Sequence, residues 1–277
     1  MTALLRLTLR RAAAAAVAAT PARGVAALPP LGGEQHWRRT NHRGESVTLW
    51  QGPAVVIGTF AGLATAPGLT RSVRLGALSA VAASGALGAY DDLAGSGSAK
   101  GLGGHLASLR RGEVTSGAVK VVGIGLSGLL AGAAIRRRRP IWEQLAAGAL
   151  VAGSANLVNL LDLRPGRATK AVLLAGAPAL ATAGVGGSIV SAPLAASIAL
   201  LPDDLAERSM MGDSGANALG SALGCAGAAV LGRRSLVGAL GGVVALTLLS
   251  ERVSFTKVIE STPVLRELDA FGRRPVS

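Results

Sequence analysis

The sequence predicts an all-α fold, a polytopic integral membrane helical bundle of about nine transmembrane helices. Three observations carry that expectation: a composition poor in charge and aromatics, apolar stretches that recur at bilayer-crossing length, and the confinement of acids to one set of connections. Half of the 277 residues are hydrophobic, 16% are charged, 3% are aromatic and 39 are Gly. A soluble domain carries about 25% charged residues and fills its core with larger rings, whereas Gly and Ala let membrane helices approach closely without bulky side chains. The same numbers exclude a collagen, a disulfide scaffold and a disordered chain. The single Cys225 lies in an apolar run, which leaves no cysteine framework for a disulfide or a metal.

Taken in chain order, residues 1–35 form an N-terminal hydrophobic segment, 36–250 a transmembrane region and 251–277 an amphipathic tail. The first apolar run, Ala12 to Leu28, is weak, being Ala-rich and interrupted by Pro21 and Arg23. With Arg6, Arg10 and Arg11 ahead of it, it can be read as an anchored span, the reading adopted here, or as a signal peptide. Eight stronger spans follow, near 52–70, 73–90, 117–135, 141–161, 168–184, 186–201, 215–232 and 235–250, each close to the roughly 17–25 residues a bilayer demands. No internal repeat stands out.

Assigning charges to connections sharpens the reading. Fourteen of the fifteen acids fall on one face of a nine-span arrangement, and Glu143 alone lies on the other. Ordinary polar loops would spread acids over both sides, so the segregation predicts one working face. Basic residues favour that face less decisively, and the positive-inside rule makes it cytoplasmic. The N-terminal arginines oppose this assignment, and a cleaved signal peptide would turn the face outward.

Three motifs on that face carry chemistry. In Gly88-Ala89-Tyr90-Asp91-Asp92, two acids end an apolar span. A carboxylate at membrane depth costs about 2.5–3.5 kcal/mol on insertion scales, so the pair needs a cation. Neighbours on a helix point about 100° apart, so one acid faces a metal and the other holds a Lys or a proton. Asn156, Asn159 and Asp162 recur at a spacing of three, which places them on one stripe of the fifth span. The turn that follows carries Arg164 and Arg167, guanidiniums suited to phosphate, with Lys170 behind them. Met211-Gly212-Asp213-Ser214-Gly215 opens the eighth of the nine spans with a carboxylate beside free backbone N–H groups, a setting for a metal-bound phosphate. Each motif also has a plainer reading: solvated acids at a helix end, membrane-anchoring arginines, and a helix N-cap.

As an ordered set these motifs resemble the polyprenyl-phosphate N-acetylhexosamine-1-phosphate transferases, the family that includes phospho-N-acetylmuramoyl-pentapeptide transferase. The resemblance spans residues 37–250 and adds two segments, Lys100-Gly101-Leu102 and Arg39-Thr40-Asn41-His42-Arg43-Gly44. It implies Mg²⁺-dependent transfer of a sugar 1-phosphate from a nucleotide diphosphate sugar to a polyprenyl phosphate in cell-envelope glycan synthesis, with Mn²⁺ as the substitute cation. It implies Asp213 and Asp92 as metal ligands and Asp91, Asp92 and Asp162 as catalytic acids. It further implies Asn41, Arg43, Lys100, Asn156, Asn159, Arg164 and Arg167 as substrate-binding residues, in a multi-pass protein of the cell membrane, with a homodimer left open. The net charge of +13 suits anionic lipids and nucleotide diphosphates, and nothing resembles a nucleic-acid-binding module.

The chain departs from the family in three places. Pro165 stands where many members carry a second Asp, the only histidines are His36, His42 and His105, and the chain ends in an amphipathic tail rather than a final span. A pentapeptide substrate is therefore not expected. The departures keep open a non-catalytic relative that binds a lipid-linked phosphate or joins an envelope-assembly complex. A transporter would call for inverted repeats and mid-membrane acids, and these acids sit at one interface. In the tail, Val264, Leu268 and Phe271 fall at helical spacing after Thr262 and Pro263, predicting a short helix for the interface or a cap on the bundle.

Overall fold

A computed structural model of the chain describes residues 2–94 and 115–275. Lys100, expected to neutralise phosphate charge, lies outside the described residues. The described chain is mostly helical: α1 (Ala3–Ala26), α2 (Glu34–Trp37), α3 (Gln51–Thr65), α4 (Arg71–Ala94), α5 (Ser116–Ile135), α6 (Ile141–Leu161), α7 (Arg167–Leu180), α8 (Val185–Leu205), α9 (Gly212–Val230), α10 (Arg233–Ser250), α11 (Phe255–Ser261) and α12 (Pro263–Ala270). Five helices, α4, α5, α6, α8 and α10, are long and apolar enough to cross a membrane. Helices α3 and α7 have 15 and 14 residues, so at 1.5 Å per residue they rise about 23 and 21 Å, short of a hydrocarbon core of about 30 Å.

The expectation of an all-α chain needs one amendment. Arg38–Thr40 (β1) and Ser46–Thr48 (β2) pair antiparallel, with Arg39 opposite Val47. The turn is built by Asn41, whose Oδ1 accepts from the N–H of Arg43 at 2.9 Å and of Glu45 at 2.8 Å. Gly44 closes it at φ +80°, a conformation glycine adopts without strain.

Helix α1 begins nine residues before the apolar run that marked it. Thr2 caps it by accepting from the Leu5 N–H at 3.3 Å. Its buried positions, Arg11, Ala14, Ala18 and Ala22, fall three or four apart on one stripe that packs against α3 and α8. The approach is close enough that a Cβ on Gly62 would meet the Cβ atoms of Ala18 and Ala192 at 2.7 and 2.6 Å. At the far end of the stripe, buried Arg11 donates to the Ser188 hydroxyl at 3.1 Å and to the carbonyls of Thr182 and Gly184, tying α1 to the α7–α8 turn.

Small residues make the remaining helix contacts, as the composition predicts. Gly128 and Gly132 of α5 face the backbone of Gly148 in α6, and Gly220 and Gly224 of α9 face Ser154, Ala155 and Val151. Both are Gly-x-x-x-Gly pairs, the spacing that puts two bare patches on one helix face. Helix α10 stands at the periphery, resting on α6, with Val237, Val244, Leu246 and Leu248 exposed.

One end of this bundle holds the acids. At the opposite end Glu143 is fully buried between Arg136 at 2.9 Å and Arg233 at 2.6 Å. Arg136 also donates to the carbonyls of Ala228 and Leu231, closing the α9–α10 turn onto α6. The one acid assigned to that face is thus a structural counter-ion.

Candidate functional site

The site is assembled where the C-terminus of α4 meets the N-terminus of α9. Gly88 makes this possible, since a Cβ there would strike the carbonyl of Asp213 and lie 2.6 Å from Ser214 Cα. Helix α9 starts at Gly212, φ +62°, with no side-chain cap of its own. Its first amides are capped from another helix instead: the Asp92 carboxylate accepts from Asp213 N–H at 3.1 Å and Ser214 N–H at 3.0 Å. A carboxylate at the positive end of a helix satisfies orphan donors and the helix dipole together.

Asp91 and Asp213 have a different occupant between them. The Lys120 ammonium, one turn into α5, lies 2.5 Å from Asp91 Oδ2 and pairs directly with Asp213 Oδ2. Ser116 donates to the other Asp91 oxygen at 2.6 Å. The Lys120 side chain is 14% exposed, that of Asp91 16% and that of Asp213 28%, so this is a half-buried triad of two anions around one cation. The sequence left the second member of the Asp pair holding a Lys or a proton, and Lys120 was not singled out. The available signal was a lone cation just inside an apolar span, which must find a counter-charge. The Asp92 carboxylate, expected as a metal ligand, accepts from two α9 amides. Among the described residues no three His, Cys, Asp or Glu side chains converge as a metal cluster.

Asp162 caps the C-terminus of α6 and joins the same end. Burial, and then the negative charge of Asp204, Asp213 and Asp92, push its carboxyl well above the usual range, while the Gly212 N–H opposes the shift. Asn156, Asn159 and Asp162 lie on one half-buried stripe as their spacing predicts, and the two Asn side chains make no hydrogen bond among the described residues. Asp91, Asp92, Asp162 and Asp213, from three separate stretches of sequence, are thereby brought to one place, together with Asp204 of α8, which accepts from the Gly166 N–H at 3.0 Å.

Asn41, Arg43, Arg164 and Arg167, expected to meet substrate, form a second layer and are engaged by the chain itself. Asn41 donates to Glu207 at 2.8 Å. Arg43 Nε lies 2.9 Å from the other Glu207 oxygen in a charge contact, and its terminal nitrogens donate to the carbonyls of Arg274 and Pro275 at 2.9 and 3.0 Å. Arg167 binds Asp269 of α12 through two nitrogens, at 2.8 and 2.9 Å. Lys170 donates to the Asp269 carbonyl at 2.6 Å, and Arg164 sits 3.6 Å from Glu260. Burial alone would raise the Asp269 carboxyl, but its bonds to Arg167 and Arg273 hold it below the usual range. The tail thus straps the turn after α6 to the β1–β2 hairpin. Its Val264, Leu268 and Phe271 face outward, at 67, 48 and 78% exposure, as an interfacial helix requires. Glu207 and Asp269, two anchors of this layer, carried no sequence signal, because their partners are more than 100 residues away in the chain.

Beside the acids opens an apolar groove of about 550 Å³. Leu157, Val158 and Leu161 of α6, Ala171 and Ala175 of α7, Leu223 of α9 and Val243 of α10 line it. Leu161, one of its lining residues, directly precedes Asp162 in the chain. No protein-family model matches the chain, and no curated protein is significantly similar to it in sequence.

Proposed function

We propose that the chain is a multi-pass membrane enzyme that transfers a sugar 1-phosphate from a nucleotide diphosphate sugar to a polyprenyl phosphate in envelope glycan synthesis. The observation that carries this reading is the meeting of Asp91, Asp92, Asp162 and Asp213 at one end of a helical bundle that also holds an apolar groove. A groove walled by Leu, Val and Ala suits a prenyl chain. Acids gathered at one end of the bundle place phosphate chemistry at the interface, and we assign that end to the cytoplasm of a multi-pass cell-membrane protein.

Asp91 and Asp213 offer carboxylate oxygens, the donor type of a hard divalent cation, and an ammonium already stands between the two. Asp213 and Asp91 would hold Mg²⁺, with Asp92 fixing the α9 N-terminus beside them. The cation would supply charge neutralisation for the diphosphate. In the reaction an oxygen of the lipid phosphate bonds to the sugar-bearing phosphorus as the diphosphate P–O bond breaks, releasing the nucleoside monophosphate. Such transfer asks for alignment and charge stabilisation rather than covalent help from the protein. Asp162, Asn159 and Asn156, on one stripe of α6, would orient the phosphates. The α9 N-terminus offers backbone N–H groups, and Arg164, Arg167 and Lys170 supply cations once released from the tail.

The non-catalytic alternative draws on one observation: Arg167 is already neutralised by Asp269. Purified protein given a prenyl phosphate, Mg²⁺ and a panel of UDP-sugars should release UMP, and Asp213→Asn should abolish release. Absence of UMP with every sugar, with lipid-phosphate binding retained, would turn the reading to the non-catalytic relative.

A further inference from the structure

At the end of the bundle opposite the acids, arginines gather almost without counter-charge. Some have work inside the fold: Arg74 donates to the carbonyls of Leu63 and Ala66 at 3.0 and 2.9 Å, and Arg136 and Arg233 share Glu143, the one acid assigned to this end. Arg137, Arg138 and Arg139 do not. They are exposed, and among the described residues their side chains make no ion pair or hydrogen bond. On a flat surface such a run would simply be solvated. These three instead line a cavity of about 440 Å³ between the start of α4, the α5–α6 turn and the α9–α10 turn, and concave walls of low dielectric focus the field of the charges they carry. The hydroxyls of Thr70 and Ser72, 3.3 Å apart, add neutral hydrogen-bonding groups to the same cavity.

Two further features bear on what the cavity would hold. Its remaining wall is apolar, including Val73, Ile135 and Leu231, which suits an amphiphile better than a hydrated inorganic ion. Trp142, 45% exposed, follows the arginine run by one helical turn, with the Arg233 guanidinium 6.0 Å from its ring centre. An exposed Trp on a membrane helix belongs at headgroup level, so the neighbouring arginines stand where lipid phosphates lie. Guanidiniums bind phosphate through paired N–H donors.

We propose that this cavity is a binding site for an anionic glycerophospholipid, whose headgroup phosphate is held by Arg137, Arg138 and Arg139 and whose first acyl carbons lie against Val73, Ile135 and Leu231. Thr70 and Ser72 donate to the remaining headgroup oxygens. A zwitterionic lipid carries its own cation beside the phosphate and is the weaker ligand. Because the cavity is shared by α4, α5 and the α9–α10 turn, the bound lipid ties three separate elements together. The inference is independent of the sugar-phosphate transfer proposed for the other end of the bundle.

The test uses the full chain in detergent and native mass spectrometry, with phosphatidylglycerol and phosphatidylcholine of the same acyl chains offered in equal amounts. The unaltered chain should retain phosphatidylglycerol about tenfold in preference. Changing Arg137→Gln, Arg138→Gln and Arg139→Gln together should abolish the preference. Arg6→Gln with Arg10→Gln, which removes exposed charge from α1 outside this cavity, should leave it unchanged. Equal retention of the two lipids by the unaltered chain overturns the proposal. So does an equal loss in both variants, since diffuse attraction to any basic surface would then suffice. Displacement of the lipid by millimolar inorganic phosphate also overturns it, because the site would then belong to the free ion. Should the triple variant fail to fold, the unaltered protein still decides: phosphatidylglycerol carrying a diazirine at its headgroup should label segments 70–73, 135–139 and 228–232 on photolysis, and labelling confined to other segments overturns the proposal.

Discussion

Asp92 offers the sharpest contrast between two ways of reading an acid at this site. As a helix cap it is stabilising, and as one of several crowded carboxylates awaiting a metal it is destabilising. Replacing it with Ala therefore has opposite signs in the two accounts. The change leaves the N–H groups of Asp213 and Ser214 without the acceptor they now reach at 3.1 and 3.0 Å. Loss of a cap costs about 1 kcal/mol, and stranding partly buried donors raises the toll to about 2–3 kcal/mol. For a chain of this size each kcal/mol lowers the melting temperature by about 2–4 °C, so a fall of about 4–12 °C is expected. The measurement is thermal unfolding in detergent without divalent ions, followed by tryptophan fluorescence. Asp92→Asn, which keeps one acceptor oxygen, should lose less. A rise in melting temperature for Asp92→Ala would refute the capping argument and restore Asp92 as a repelling ligand.

Three further outcomes follow from the same geometry. Glu143→Ala strands Arg136 in the interior at the opposite end and should destabilise the bundle by about 3–5 kcal/mol, measurable as a lower melting temperature with cation binding at the acidic end unaltered. Asp162 has its carboxyl raised in the folded chain, so ionisation costs stability above the unfolded value of about 3.9. Asp162→Asn should accordingly raise the melting temperature at pH 7.5, the gain should fade as pH falls below about 4, and UMP release should be lost at every pH. A melting temperature that does not move at pH 7.5 would count against the crowding of these acids. Asp269 is shifted the other way: its tail contact is complete above the unfolded carboxylate value and is lost as pH falls through the lower folded one. Asp269→Asn should free the tail at neutral pH, and trypsin should then cut after Arg266 about tenfold faster, the equivalent of about 1.4 kcal/mol of local opening. Unchanged cleavage would mean that Arg167 does not hold the strap.

The helices were legible because hydropathy reports them directly. The spans expected at 117–135, 141–161 and 235–250 appear as α5 116–135, α6 141–161 and α10 233–250. Helix α1 was under-read because its packing face is Ala, whose burial matters here for shape more than for apolarity, and because Arg11 turned out to be an internal clamp rather than a flank. The β1–β2 hairpin was missed since three-residue strands have no period to detect, although Asn41 and Gly44 are turn formers. At the site, the residues that came together were visible one motif at a time. Their roles were not, because a cap donated from α4 to α9, or a lysine shared by three helices, exists only once the chain is folded. Asp92 and Asp91 are neighbours in sequence, yet one serves an amide pair and the other an ammonium.

The Gly pairs that join α5 to α6 and α6 to α9 carry a consequence for how this chain can vary. In most proteins the bulkiest interior side chains are the least replaceable. Here the seams are closed by hydrogen atoms lying against backbone, so a single added methyl at Gly132 or Gly220 must pry two helices apart, while the outward Val and Leu residues can be exchanged for one another freely. Intolerance to change is concentrated where the chain has no side chain at all.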